Sequence, residues 1–402
     1  MVADIKSQTA EELQDHFREW GQPAYRVSQL LEWVYVHRVT DWEAMTNLPR
    51  ALRDRLRSHY SLHSLELVRK QGSRDTTQKF LWRLADHSLI ESVLIPASPA
   101  LYGEPSDRHT LCVSTQVGCA YGCKFCASGL AGLKRNLAPE EIVDQALAVE
   151  RAESKVHSPK SKVQEAAEVG RAAHHLLATI DEGKGDSPNA TQFSTSSSRV
   201  VSNLVIMGMG EPLANYDNLM RALRILNAPW GGAIGARKIT ISTSGLAPQI
   251  RKLAAEPLQF RLAISLHGAT DETRNKLMPV NRKYPLRELT AACEYYMQKK
   301  GRMITFEYIL IEGVNSGRDQ VEPLAALARR LKAKVNLIPY NNVEGLPWQR
   351  PSESAQEAFL RALERQKIPA TLRREKGQDI EAACGQLRLR TERQLADAVI
   401  KA

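Results

Sequence analysis

Apolar positions keep a helical period in the first part of the chain and lose it afterwards. Val27, Leu30, Leu31, Val34 and Tyr35 recur three and four apart, and Thr9-Ala-Glu-Glu12 has the form of a capping box. Residues 1–75 are therefore read as a small helical accessory domain. Two short apolar runs follow, Phe80–Leu84 and Ser88–Ile95, on either side of Asp86-His87, so residues 76–110 read as a hairpin and a linker. Beyond the run Thr110–Ser114, strands are predicted near 199–206, 238–242, 260–265, 303–310, 334–338 and 370–373, with helices between them. Such alternation implies parallel strands joined by right-handed crossovers. The predicted fold class is α/β, a partial (open) TIM-like barrel over residues 111–375, with its chemistry at the carboxyl ends of the strands. Residues 376–402 form a separate carboxyl-terminal segment.

One stretch departs from this pattern. Residues 152–198 turn polar and low in complexity, ending in Ser-Thr-Ser-Ser-Ser, and read as a surface insertion in which His174 and His175 are incidental. Lys and Arg number 55 against 45 Asp and Glu, a formal charge of +10 that favours a polyanionic partner. In the helical region Arg18, Arg26, Arg38, Arg50, Arg53, Arg55 and Arg57 read either as an RNA contact or as a solvated face. No apolar run approaches the roughly 18 residues that span a bilayer, and the amino terminus lacks a secretory pattern. A soluble, cytoplasmic protein with no membrane partner is expected, in a reducing compartment.

Six cysteines change the picture, because three stand as Cys119-Ala-Tyr-Gly-Cys123-Lys-Phe-Cys126. Three soft ligands on one loop suit three corners of a cuboidal iron-sulfur cluster and leave its fourth iron open. A zinc site would use a second ligand pair, which the sequence lacks, and His109 is poorly spaced to complete a Cys₃His set. With Phe125 before the last cysteine, the loop resembles the signature of radical S-adenosylmethionine (SAM) enzymes. That resemblance implies one [4Fe-4S] cluster on Cys119, Cys123 and Cys126, SAM chelated by the open iron and cleaved to a 5′-deoxyadenosyl radical, and Phe125 near the adenine.

Further motifs lie where a barrel ligand would sit. Met207-Gly-Met-Gly210-Glu211-Pro212 follows an apolar strand, and its glycines and carboxylate could meet the backbone and ammonium of a ligand. Ile241-Ser-Thr-Ser-Gly245, Ile264-Ser-Leu-His267 and Leu337-Ile-Pro-Tyr-Asn341 each end an apolar run in small or polar residues. Cys293 reads as helix packing, whereas Cys384, in Ala-Ala-Cys384-Gly-Gln-Leu387, has polar neighbours unlike those of a core thiol.

Together these stretches are similar to the RlmN-type adenosine methyltransferases. The resemblance implies methylation of carbon 2 of an adenine in 23S ribosomal RNA and in transfer RNA, two SAM molecules per turnover, and an electron donor such as flavodoxin or ferredoxin acting on a monomer. Carried over residue by residue, it makes Cys384 the carrier of the methyl group, Cys112 the thiol that resolves the protein–RNA adduct by forming a disulfide, and Glu91 the proton acceptor. It makes Gly210, Glu211, Ser242, Ser265, Leu266, His267 and Asn341 the SAM contacts. Glu91 also reads as the solvent side of an alternating strand. Three alternatives stay open: the Cfr type, which methylates carbon 8; a non-catalytic iron-sulfur RNA-binding protein; and a radical SAM mutase or activase, which would not need Cys384.

Overall fold

The computed structural model describes residues 2–73, 76–97, 108–130, 132–154, 199–373 and 385–401, with backbone alone at 395–401. The insertion beyond Ser154, the segment 374–384 and with it Cys384 lie outside the described residues.

The amino-terminal part holds three helices, α1 (Ala10–Glu19), α2 (Tyr25–Tyr35) and α3 (Arg50–His59), tied by a parallel bridge of β1 (Ala3–Asp4) with β2 (Tyr60–Ser61). Thr9 and Glu12 form the capping box at α1, and the expected apolar stripe of α2 is buried. Of the seven arginines noted above, Arg18, Arg38, Arg50, Arg53 and Arg57 have carboxylate partners, and the Arg55 guanidinium lies 4.8 Å from the centre of the Trp20 ring.

Ten strands make one sheet. They are β3 (Glu66–Gly72), β4 (Gln78–Arg83), β5 (Leu89–Pro96), β6 (His109–Cys112), β9 (Asn203–Ile206), β10 (Ile239–Thr243), β11 (Arg261–Ser265), β12 (Thr305–Leu310), β13 (Lys334–Pro339) and β14 (Ala370–Leu372). The two missing numbers belong to a small ribbon, β7 (Gln116–Gly118) with β8 (Leu133–Asn136). From β6 through β9 to β14 the neighbours are parallel and in chain order, whereas β5, β4 and β3 continue the sheet antiparallel beyond β6. The crossovers carry α4 (Pro139–Ser154), α5 (Tyr216–Asn227), α6 (Ala247–Ala255), α7 (Asp271–Leu277), α8 (Leu286–Lys300), α9 (Val321–Arg330) and α10 (Glu353–Arg365), and α11 (Gln386–Lys401) ends the chain. The barrel is open, as expected, because β3 and β14 stand at opposite ends of the strand order.

Residues 66–72, read as part of the helical region, instead form the edge strand β3. Its residues are exposed or half-buried throughout, so no apolar alternation marks it. Register on the antiparallel extension fixes which side chains share a face: Lys79 opposes Val93, Leu81 opposes Glu91, and Val93 opposes Cys112. With the period of two, Glu91, Val93 and Cys112 point the same way as Lys79 and Leu81. The other face, with Phe80, Trp82, Ile90 and Leu94, joins the main core. Among the described residues no helix is long and apolar enough to cross a membrane.

Candidate active site

The cysteine loop leaves β7 at Gly118 and returns into β8. Gly118 has φ +80°, and a Cβ there would lie 1.9 Å from the Gly132 carbonyl, so glycine is what lets the loop close. Lys124, between two of the cysteines, is clamped on both sides: its amide donates to Leu277 O at 2.9 Å, and its carbonyl accepts from Trp348 Nε1 at 2.9 Å. Cys119, Cys123 and Cys126 all line one cavity of about 350 Å³ at the carboxyl ends of the parallel strands. Burial pushes the Cys119 thiol up to about 11, with the neighbouring Cys126 adding to it. Cys123 is driven well above its ordinary value by burial and then by the other two cysteines.

Three half-buried soft donors on one loop, two of them with thiols raised above the ordinary value, are suited to a metal that draws off their protons. A cuboidal cluster uses one thiolate per iron, so its ligands need not converge on a single ion. Among the described residues no three Cys, His, Asp or Glu side chains do so. The donor set therefore fits a [4Fe-4S] cluster. His109 opens β6, pairs with Pro96 and does not line the cavity.

Opposite the cysteines, the turn after β9 brings backbone close to the ligand space. Gly210 has φ +102°, and a Cβ there would lie 2.6 Å from Gln116 Cβ. Glu211 is 3 % exposed; its carboxylate accepts from Leu213 N at 3.1 Å and Ser244 N at 2.7 Å, while its amide donates to Gln116 Oε1 at 2.9 Å. Burial raises its carboxyl above the usual range, and the Ser244 and Leu213 hydrogen bonds oppose that rise. Ser242 Oγ and Ser265 Oγ lie 3.2 Å apart at the ends of β10 and β11.

His267 adopts φ 55° and accepts from Ile309 N through Nδ1 at 3.1 Å, so the ring proton belongs on Nε2. Burial, with the Arg274 charge added, holds its pKa at about 3, and the neutral ring meets Phe125 edge-on at 4.9 Å. Asn341 completes the wall beyond β13. Leu266 is the exception among the expected contacts. Its side chain is 1 % exposed and packs in the core rather than lining the cavity.

Glu91, Cys112 and the carboxyl-terminal helix form a second group beside the cysteine loop. Glu91 is 2 % exposed, which excludes the solvent-facing reading. Its carboxylate takes Lys79 Nζ at 3.0 Å, Gly385 N at 2.8 Å and Arg388 N at 2.6 Å, and so closes the start of α11. Gly385 has φ +85°, and a Cβ there would lie 2.6 Å from Ser128 Oγ, two residues beyond Cys126. Leu387 packs with Leu81 and Leu89 on the same face of the sheet. Cys112 lines the main cavity with Val93 and Ile95. The expected pairing of Cys112 with Cys384 falls outside the described residues, and no disulfide joins two of the described cysteines.

Some members of the site were not singled out by the sequence. Ser244 and Tyr121, inside motifs noted above, also line the cavity, as does Glu307, which had no signal; it accepts from Asn336 Nδ2 at 2.6 Å and is raised by burial. Lys79 and Arg274 are fully buried cations in stretches that read as ordinary strand and polar helix.

Thiols facing a glycine-glutamate turn across the mouth of an open parallel barrel define a class, the radical SAM enzymes, and residues 199–326 match the radical SAM superfamily. Residues 3–62 match the ribosomal RNA large subunit methyltransferase N-terminal domain. The chain is 51% identical over 97% of its length to the probable dual-specificity RNA methyltransferase RlmN 3 of Opitutus terrae, covering 95% of that protein. It is 48% identical to the probable dual-specificity RNA methyltransferase RlmN of Akkermansia muciniphila, over 97% of this chain and 96% of that one. A crystal structure of a radical SAM methyltransferase from Sphaerobacter thermophilus superposes with a TM-score of 0.79 at 41% identity, covering 96% of this chain and 98% of that one. The chain belongs to the RlmN family of dual-specificity RNA methyltransferases.

Proposed function

We propose that this chain methylates carbon 2 of an adenine in 23S ribosomal RNA, and in transfer RNA, by way of an S-methylcysteine at Cys384 and a transient protein–RNA adduct. One observation carries the reading: the amide of Gly385, covalently joined to Cys384, donates to the Glu91 carboxylate, while Gly385 itself abuts the turn after Cys126. Gly385, next in sequence to the proposed methyl carrier, is thereby held at both the cysteine loop and the face shared by Glu91 and Cys112.

Carbon 2 of adenine lies between two ring nitrogens and is too electron-poor to attack the methyl group of SAM, so ordinary nucleophilic transfer is closed. When bound, the cluster and SAM supply single-electron chemistry that can remove a hydrogen atom from a methyl group; two SAM molecules serve one turnover, one as methyl donor. The protein does the rest. Cys119, Cys123 and Cys126 hold the cluster, and Gly210, Glu211, Ser242, Ser265, His267 and Asn341 hold SAM, with Phe125 against its adenine. Glu211, held in the cavity wall by Leu213 N and Ser244 N, is the carboxylate that would meet the ammonium group.

Cys384 carries the methylene-level carbon to carbon 2; the carbon-2 proton leaves to Glu91, and the one electron released with it would be taken up by the iron-sulfur group that supplied one at the start. The Cys112 thiolate then attacks the Cys384 sulfur, forming a disulfide and breaking the sulfur-carbon bond, and the released carbon keeps that electron pair and takes a proton to become the methyl group. Among the described residues the Glu91 carboxylate takes Lys79 Nζ and the amides of Gly385 and Arg388, contacts that hold it in place as the proposed acceptor of this proton. The same contacts give Glu91 a second task, positioning the residue next to the methyl carrier. A monomer acting in the cytoplasm with a flavodoxin- or ferredoxin-type donor completes the proposal.

Cys112→Ala tests it. With RNA, SAM and reductant under anoxia, this variant is expected to accumulate a covalent protein–RNA species that survives denaturation, and Cys384→Ala to form none. Full turnover by Cys384→Ala would refute the route. Mass-spectrometric mapping of the product base separates carbon 2 from the carbon 8 of the Cfr type.

A further inference from the structure

Among the described residues four Lys or Arg side chains are buried: Lys6, Lys79, Arg274 and Arg388. Three have a carboxylate at ion-pair distance: Lys6 with Asp4 at 2.9 Å, Lys79 with Glu91 at 3.0 Å, and Arg388 with Glu392 at 3.1 Å. Arg274, fully buried, has none among the described residues. Its Nε donates to Asn281 Oδ1 at 2.9 Å, its Nη1 to Ser265 O at 3.0 Å and to Leu266 O, and its Nη2 to Ser244 O. These neutral partners satisfy the donors but leave the net charge, and an uncompensated buried ion costs several kcal/mol. A cation kept at that cost calls for an anion.

The surroundings of Arg274 point to that anion. The carbonyls it holds belong to Ser244 and Ser265, both of which line the cavity with Cys119, Cys123 and Cys126, and Met278 Sδ, in the same wall, lies 3.3 Å from Nη1. Three residues beyond Arg274, Leu277 O anchors the cysteine loop at Lys124 N, 2.9 Å away. Burial lowers the Arg274 pKa to about 10, so the side chain stays charged at neutral pH.

We propose that Arg274 is the fixed counter-charge of the cluster site and raises the reduction potential of the group held by Cys119, Cys123 and Cys126. The inference rests on the reading that a [4Fe-4S] cluster binds there. Three thiolates on an oxidised core leave roughly one net negative charge, and reduction adds another. A buried positive charge stabilises the reduced form more than the oxidised form, because it meets the larger negative charge in a medium of low dielectric. Arg274 is a positioning residue as well, since it fixes three carbonyls at the ends of β10 and β11, so the test must separate charge from scaffolding.

Anoxically reconstituted wild type, Arg274→Gln, Arg274→Lys and Asp271→Asn are compared by redox titration followed by electron paramagnetic resonance, with iron and sulfide measured for each. Arg274→Gln is expected to move the midpoint to more negative potential, and Arg274→Lys to stay near wild type. Asp271→Asn removes an exposed anion that partly offsets Arg274, so a smaller shift to more positive potential is expected. A defect of scaffolding alone would not give shifts of opposite sign. Equal midpoints for wild type and a fully loaded Arg274→Gln would overturn the proposal, as would Arg274→Lys falling with Arg274→Gln. If Arg274→Gln fails to fold or load, Asp271→Asn decides, and a midpoint that is unmoved or more negative overturns the proposal. Wild type without iron or acid-labile sulfide removes the cluster reading itself, and the proposal with it.

Discussion

His267 sits at φ 55° with its ring in the cavity wall, uncharged because burial holds its pKa at about 3. The sign of the resulting pH dependence is fixed. The unfolded chain protonates this histidine near 6.5 and the folded chain only near 3, so stability is complete above about pH 6.5 and declines as pH falls toward 3. The slope from this one group reaches at most about 1.4 kcal/mol per pH unit. In His267→Asn, whose side chain tolerates positive φ, that contribution is absent, so denaturant titrations at pH 7, 6 and 5 are expected to show wild type losing stability faster than the variant. Parallel losses would contradict the burial account. Gly385→Ala meets two obstacles, φ +85° and the Ser128 hydroxyl at 2.6 Å, and should cost roughly 1–2 kcal/mol for the backbone alone. Methyl transfer is expected to fall further than SAM cleavage, because only the former needs the residue next to Gly385 in place. The cysteines and the glycine-glutamate turn were readable because their chemistry is local in sequence. Arg274 and Lys79 were not, because a buried cation is defined by partners in other strands.

Helix α11 is held to the sheet by two kinds of contact, Leu387 against Leu81 and Leu89, and Glu91 against the Gly385 and Arg388 amides. Leu387→Ala should weaken the docking by roughly 2–5 kcal/mol. Amide exchange over residues 386–394 is expected to speed up with the rest of the sheet unchanged; exchange rising everywhere would show a global fold defect instead. Lys79→Met leaves a buried carboxylate without its cation and should cost about 3–5 kcal/mol. In a double-mutant cycle with Glu91→Gln, the paired change should cost clearly less than the sum of the single ones, and strict additivity would mean that the two side chains are uncoupled. The strands from β9 to β13 stood out because their apolar residues are buried against their neighbours and bounded by polar residues. β3 did not, since an exposed edge strand of Glu, Arg, Lys and Gln carries no alternation to read.

The whole sheet joins two parts of the mechanism that lie far apart in sequence. Its parallel part, from β6 onward, positions the cysteine loop, Cys112 and the proposed SAM contacts, while its antiparallel extension sets Glu91 on the same face of the sheet as Cys112. Alternating strands and helices foretold the first half; that the hairpin would pair with β6 and continue the same sheet depended on a contact between segments, which a linear pattern does not carry. The charge of the amino-terminal helices also reads differently in three dimensions, because most of their arginines are answered by carboxylates of this chain.

One measurement reaches the centre of the account, the passage of the methyl group through Cys384. Anoxically reconstituted protein is given RNA, reductant and SAM bearing a trideuterated methyl, and the product adenine is weighed. Abstraction of one hydrogen isotope from the methyl on Cys384 requires a product that retains two deuterium atoms and gains one hydrogen. Delivery of an intact trideuterated methyl would contradict the mechanism.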